Sequence, residues 1–451
     1  MRKIKECRKM AFTRSIKPTA VHETLGKYML VDGFDLVIDL EKSKGSRLHD
    51  SRYNREFLDM FSFFASNPLG MNHPALRDKD YLMKLTRAAV QKPSNSDIYT
   101  VEMAEFVDTF GRIAMPKHAR YLFFVEGGGL AVENALKAAF DWKVRKNLKA
   151  GIKKELGTQV LHFREAFHGR TGYTLSLTNT DPVKIKYFPK FEWPRVDNPK
   201  VTFPLEGENL SAVEAAEERA LSQMHEAFLR NDGDIAAIII EPIQGEGGDN
   251  HFRPEFLRAL RKVADDNDAM LIFDEIQTGL GLTGKMWCYE HFGMAPDILC
   301  FGKKTQVCGI ACSSRIDDVP DNVFQVGSRI NSTWGGNLVD MVRCQRFLEV
   351  IEEENLVENA ARMGERLLDG LKALQERFPG TVQNARGRGL MCAFDLSETA
   401  LRDKLFGKTY QNGLILLKTG VRGIRFRPAL NVTPGDIDEA LQRLEDSLAH
   451  I

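Results

Sequence analysis

The sequence predicts an α/β protein: a mostly parallel, doubly wound sheet in a large domain, followed by a smaller α+β C-terminal domain. Three observations carry this. From about residue 77 to 330, short apolar runs alternate with helical stretches, the arrangement that sandwiches a parallel sheet between helices. Those runs are apolar throughout, as strands buried on both faces must be, not alternating like a half-exposed sheet. Beyond residue 338 the pattern changes to long amphipathic helix rich in Glu, Arg and Leu, and then to further strands.

In chain order, the basic opening MRKIKECRKMAFTRSIK reads as a disordered tail or a targeting segment. Residues 21–33 read as a short helix and turn, and residues 37–40 and 57–61 as strands of a small antiparallel layer. The tip FSFFASNPLGMNHPAL, residues 61–76, ends in turn-forming Ser66, Asn67, Pro68 and Gly70, so the aromatics of 61–65 serve either as core or as pocket lining. Strands are expected at 121–125, 160–163, 235–240, 270–273 and 298–301. The charged stretch 201–230 is expected to be helical with a solvated outer face. Residues 338–378 read as long helix, and 389–396, 413–417 and 423–427 as strands. The expected organisation is thus an N-terminal segment, 1–76, packing on the small domain; a large domain, 77–337; and a C-terminal domain, 338–451.

With 451 residues and 43% apolar composition there is ample material for sizeable cores. Lys plus Arg and Asp plus Glu balance at 62 each, which argues against nucleic acid or an anionic membrane as partner. No apolar run approaches bilayer length. The seven cysteines are odd in number and lack metal-ligand spacing, so they read as reduced core residues of a cytoplasmic protein, with no metal site.

The chemistry concentrates in AMLIFDEIQTGLGLTGKMWCYEHFGMAPDILCFGKK. One strand delivers Asp274 at its carboxyl end and the next delivers Lys303. Open α/β sheets bind ligands at that edge. A carboxylate and an amine placed so suit pyridoxal 5'-phosphate, which needs a lysine for its aldehyde and an acid for its ring nitrogen. An ordinary salt bridge between strand ends is the alternative. Upstream, FVEGGGLAV runs from a strand through three glycines into a helix, where main-chain amides and the helix dipole could meet an anion or merely form a tight turn. Gly279, Gly281 and Gly284 match the dinucleotide fingerprint in form but neither directly follow a strand nor open a βαβ unit.

FDEIQTG, FGKK at Lys303 and NSTWGGN around Thr333 resemble the class III (ornithine-type) aminotransferases, which are fold type I pyridoxal-phosphate enzymes; the resemblance spans roughly residues 22–445. It implies that Lys303 carries the cofactor, Lys304 being the rival; that Asp274 pairs with the ring nitrogen; and that Gln277 contacts the ring hydroxyl. It places the phosphate at Gly128 and Gly129, where relatives usually carry a Ser-Gly-x-Glu-Ala turn, and on Thr333 reaching in from a neighbouring subunit, which makes the protein a homodimer. Phe167 would stack on the ring. His168 would position it, the alternative being a general base. Arg170 would grip the distal substrate carboxylate, Arg425 the one beside the reacting carbon, and Glu246 would cover Arg425 when that carboxylate is absent. Gln277 and Asn331 join the substrate-binding set.

Within the family, AFHGRTGYTLSLTNT, FGKKTQVCG, NSTWGGN and RGRGLMCAF look most like members that move the 6-amino group of L-lysine to 2-oxoglutarate, giving 2-aminoadipate 6-semialdehyde and L-glutamate by a ping-pong mechanism. The alternatives are an ornithine or 4-aminobutyrate type ω-aminotransferase, other chemistry at the same cofactor, or a binding protein that keeps the fold without turnover.

Overall fold

Seven strands form the central sheet of the computed structural model, which describes residues 15–451; residues 1–14, most of the basic opening, lie outside the described residues. These are β1 (Ala119–Val125), β2 (Gln159–Phe163), β3 (Arg195–Val196), β4 (Ile235–Ile240), β5 (Met270–Asp274), β6 (Ile298–Phe301) and β7 (Cys308–Ser313). Their order is β1-β7-β6-β5-β4-β2-β3. Only β7 runs antiparallel to its neighbours, β6 and β1. The other pairs are parallel.

β4, β5 and β6 are buried along their whole length, which is why each reads as an unbroken apolar run. The helix Gly128–Lys149 lays Ala131, Ala135, Ala138, Ala139 and Trp142 on one face of the sheet, the alanines letting its axis come close. The opposite face packs against Phe256, Leu257 and Leu260 of the helix Pro254–Asp266.

Several expected elements differ. β7 was not anticipated: CGIACS is short and rich in small residues, and only tertiary pairing makes it a strand. A Cβ at its Gly309 would stand 2.2 Å from the Phe123 carbonyl oxygen, so the small side chain is what lets β1 pair. Residues 37–40 form no strand, contributing one isolated bridge between Ile38 and Asp50. The N-terminal layer is Arg47–Asp50 antiparallel to Arg55–Asp59, which pairs in parallel with Leu414–Ile415. The N-terminal segment therefore shares a sheet with the far end of the chain. The stretch 338–378 is two helices, Leu338–Glu353 and Leu356–Arg377, parted at Asn355 with φ 52°, a conformation asparagine tolerates better than most residues. The charged helix begins at Gly207, not at residue 201.

The C-terminal four-stranded sheet has the order Val382–Arg388, Met391–Leu396, Gly423–Phe426, Leu417–Thr419. The expected strand at 389–396 starts two residues late because Gly389 (φ +53°) turns the chain against the Thr283–Gly284 backbone. Likewise the expected strand 413–417 splits at Leu416 between two sheets. Among the described residues no helix is long and apolar enough to cross a membrane, and the six described cysteines are free and buried.

Where the two larger sheets meet, Arg427 and Asp249 form an ion pair at 2.7 Å with side chains 0% and 1% exposed. Taking away one member strands a buried charge. Arg427→Met should therefore lower unfolding stability by about 3 kcal/mol, read as a shifted urea midpoint.

Candidate active site

β5 and β6 pair in register, with Asp274 opposite Cys300, so their carboxyl ends bring Asp274 and Lys303 to one edge of the sheet. A cavity of about 1300 Å³ opens there, lined among others by Gly127, Gly128, Gly129, Phe167, His168, Arg170, Glu246, Asp274, Gln277, Lys303 and Arg425. Ten residues expected at the site thus face one space. Thr333 and Asn331 do not line it; both are exposed, the Thr333 carbonyl accepting from Ser94 Oγ at 2.6 Å.

Lys303 heads a single 3₁₀ turn and has φ 53°. Burial holds its ammonium pKa below the usual lysine value; Asp274 opposes that and Arg425 reinforces it. Lys304 turns the other way. Fully buried, its Nζ donates to the carbonyls of Gln277 at 2.8 Å and Ala65 at 3.3 Å. Only Lys303 of the pair reaches the cavity.

Asp274 Oδ1 accepts from the Ile276 amide at 3.1 Å, and Oδ2 lies 2.8 Å from His168 Nδ1. A carboxylate can only accept, so Nδ1 carries the proton. His168 Nε2 is buried without a partner among the described residues. The imidazole thus braces the acid.

At the other end of the cavity, Gly127 (φ +100°) precedes the first turn of Gly128–Lys149, leaving that turn's amides unpaired toward the space. A Cβ on Gly128 would stand 3.0 Å from Ile276 Cδ1, so any side chain there would crowd the floor. Gln277 Oε1 accepts from Arg427 Nε at 2.9 Å and Arg425 at 3.4 Å, while its amide nitrogen makes no hydrogen bond within the described chain. The donor set fits pyridoxal 5'-phosphate: a helix N-terminus for the phosphate, an acid for the ring nitrogen, an amide for the ring hydroxyl, an aromatic face at Phe167 and a desolvated lysine for the aldehyde.

Arg170 is exposed at the mouth, and Arg425 is 4% exposed within. Burial, then Arg427, pushes the Arg425 pKa down to about 10. Its Nε has no partner, and its nearest carboxylate is Asp249 at 4.0 Å. Glu246 does not cover it in this structure: its carboxylate contacts Lys184 and accepts from Thr180 Oγ1 at 3.4 Å.

Sequence reasoning missed Lys184 and Glu241, both in the cavity wall. Glu241 accepts from the amides of Phe167 and Gly245, each at 2.9 Å, and burial raises its pKa to about 7. It thereby ties the segment bearing Phe167 to the loop bearing Glu246; the motif EPIQGEGG contains it but assigns it no task. Phe61, Phe63 and Phe64 do line the cavity. They sit on a left-handed turn, φ 37° to 63° over Ser62, Phe63, Phe64 and Ala65. Such backbone costs roughly 1–2 kcal/mol per residue and persists only when clamped. Asp59 accepts from the amides of Phe61 and Ser62, Lys304 holds Ala65 and Gln306 holds the Ser66 carbonyl. The fingerprint glycines serve packing: Gly279 abuts Trp287, Gly281 Leu430 and Gly284 Ala361.

Next to Asp274, buried Glu275 accepts from the amides of Cys288 and Tyr289, yet desolvation still raises its pKa from 4.5 to about 7. The folded acid holds its proton more tightly than the unfolded chain does. Its contribution is therefore complete below pH 4.5 and is lost as pH rises through about 7. Glu275→Gln should make the fall in stability across that window shallower, by up to about 3 kcal/mol in urea titrations at the two ends.

Residues 29–448 match the family described as Aminotransferase class-III. Over 436 residues the chain is 55% identical to the L-lysine-epsilon aminotransferase of Mycobacterium tuberculosis (strain ATCC 25618 / H37Rv), covering 96% of each. It is 50% identical over 433 residues to the L-lysine-epsilon aminotransferase of Streptomyces clavuligerus, covering 96% of this chain and 94% of that one. The solved lysine aminotransferase from M. tuberculosis in the internal aldimine form superposes with a TM-score of 0.94 at 55% identity, covering 96% of this chain and 99% of that one. The chain belongs to the class III aminotransferases, fold type I transaminases that depend on pyridoxal 5'-phosphate.

Proposed function

We propose that the protein is an L-lysine 6-aminotransferase, moving the ε-amino group of L-lysine to 2-oxoglutarate. The observation that carries this reading is one cavity with two guanidinium groups, Arg170 at the mouth and Arg425 within, its Nε without a partner among the described residues, beside Lys303 and Asp274. Such a space suits an ω-amine whose carboxylate lies far from the reacting carbon, and a dicarboxylate that needs both forks. The near-full-length identity to proteins named for lysine selects among such amines.

Bound pyridoxal 5'-phosphate supplies the electron sink. Lys303 Nζ, lowered in basicity by burial, takes the proton from C6 of the donor and returns one in the second half-reaction. Asp274, braced by His168, holds positive charge at the ring nitrogen. Gly128 and Gly129 amides hold the phosphate, Phe167 excludes water from one ring face, and Gln277 donates to the ring hydroxyl. Arg170 orients the distal carboxylate, Arg425 receives the near carboxylate of 2-oxoglutarate, and Glu246 covers Arg425 otherwise. Thr333 and Asn331, exposed on one chain, complete the cavity of a second copy in a homodimer. The working division is an N-terminal segment 1–76, a cofactor-binding unit 77–337 and a C-terminal unit 338–451, in a cytoplasmic enzyme.

The test offers the purified protein L-lysine, ornithine and 4-aminobutyrate separately with 2-oxoglutarate. Glutamate should form with lysine at the highest kcat/KM, together with 2-aminoadipate 6-semialdehyde or its cyclised form. Faster turnover of ornithine or 4-aminobutyrate would reassign the substrate.

A further inference from the structure

The loop that carries Glu246 is fixed by its backbone. The Gly245 amide donates to Glu241, the Gly245 carbonyl accepts from Thr419 Oγ1 at 2.7 Å, and the Glu246 carbonyl accepts from the Gly420 amide at 2.9 Å. Only the Glu246 side chain is therefore free to move. It contacts Lys184, at the end of the turn Pro182–Lys184, with the two side chains 23% (Lys184) and 26% (Glu246) exposed.

Lys184 stands among cations. Its Nζ lies 5.8 Å from the Phe167 ring centroid, and its ammonium pKa is lowered by burial, by Arg170 and by Arg425, with Asp181 opposing. Three positive groups thus line the cavity, and Glu246 is paired with the one that the proposed reaction leaves without a task. A carboxylate lifted off Arg425 inside a half-buried cavity would regain only part of its hydration. A second cation within reach makes the displaced position a defined one.

We propose that Lys184 is the alternate partner of Glu246: a positioning residue that holds this carboxylate off Arg425 and thereby sets the enzyme's affinity for the dicarboxylate acceptor. The proposal rests on the reading of Arg425 and Glu246 given above. When Glu246 is held by Lys184, Arg425 is bare and receives the carboxylate beside the carbonyl of 2-oxoglutarate. When an ω-amine enters, Glu246 crosses to Arg425 and Lys184 returns to solvent. The balance between the two ion pairs fixes how much of the enzyme is ready for each substrate.

Glutarate, an unreactive dicarboxylate, probes the acceptor state by calorimetry on the holoenzyme. Lys184→Met should weaken glutarate binding about fivefold, the scale of a partly exposed ion pair. KM for 2-oxoglutarate should rise in proportion, while KM for L-lysine stays level or falls. Lys184→Arg should restore both. In a Glu246→Gln background, Lys184→Met should change glutarate binding less than twofold, because no charge remains to be held. An equal loss in that background would show Lys184 gripping the ligand itself and overturn the proposal. So would unchanged glutarate affinity in Lys184→Met, or KM values that rise together. Arg425→Met separates the underlying reading: if glutarate binds that variant as it binds the native enzyme, the role given to Arg425 fails whatever Lys184 does.

Discussion

Lys303→Ala should reduce turnover at least about 10³-fold, the range for removing a nucleophile that doubles as the proton carrier. Three other lysines lie near enough to be considered, and their surroundings decide against each. Lys304 is spent on two carbonyls in the core. Lys184 is paired with Glu246, and Lys418 lies 46% exposed beside Asp403. Among the described residues Lys303 is the lysine of the cavity wall that no carboxylate contacts; its ammonium is desolvated, and Asp274 is the largest influence keeping it protonated. Borohydride reduction of the native protein followed by peptide mapping should put the cofactor on Lys303. The Lys303→Ala variant should keep its unfolding midpoint, since the side chain makes no hydrogen bond within the described chain, and should show no reducible adduct. Lys304→Met gives the complementary result: an adduct still at 303, and a less stable protein through loss of the tie to Gln277 and Ala65. A label at 304, or turnover of Lys303→Ala within tenfold of native, would overturn the assignment.

The parts of this protein legible in its sequence are those set by local pattern. β4, β5 and β6 are buried on both faces, so apolar composition alone located them, and the acid and amine at their ends marked the edge at which the cavity opens. What escaped was decided at long range. β7 is a strand because β1 and β6 flank it, and Leu416 breaks a strand because residues 414–415 and 417–419 pair with different partners. Asn355 divides a helix whose apolar spacing runs on past it. Lys184 and Glu241 were missed for a related reason: a lysine in TDPVKIK and a glutamate ending a strand acquire tasks only when loops from distant stretches converge. Glu246 lines the cavity, but the partner it takes here could not be read from EPIQGEGG.

Replacing Asp274 with asparagine should cost about 10²–10³ in kcat, some 3–4 kcal/mol of transition-state stabilisation, while leaving the fold unchanged. The side chain is 5% exposed and fixed at both oxygens, Oδ1 by the Ile276 amide and Oδ2 by His168 Nδ1. Its charge is therefore preorganised in a dry setting, where a carboxylate favours a cationic neighbour far more than in water. Asparagine preserves shape and the Ile276 contact but removes the charge, and its amide would face the proton on His168. Affinity for the cofactor, followed by fluorescence titration of the apoprotein, should fall together with kcat, because the same charge acts in both. His168 contacts Asp274 through Nδ1, so His168→Gln, which can still donate, should cost about tenfold or less. The ordering is the sensitive part of the result. A His168 variant poorer than Asp274→Asn would mean that the imidazole touches the reacting atoms directly. Asp274→Asn within threefold of native turnover would remove the electrostatic basis of the whole site.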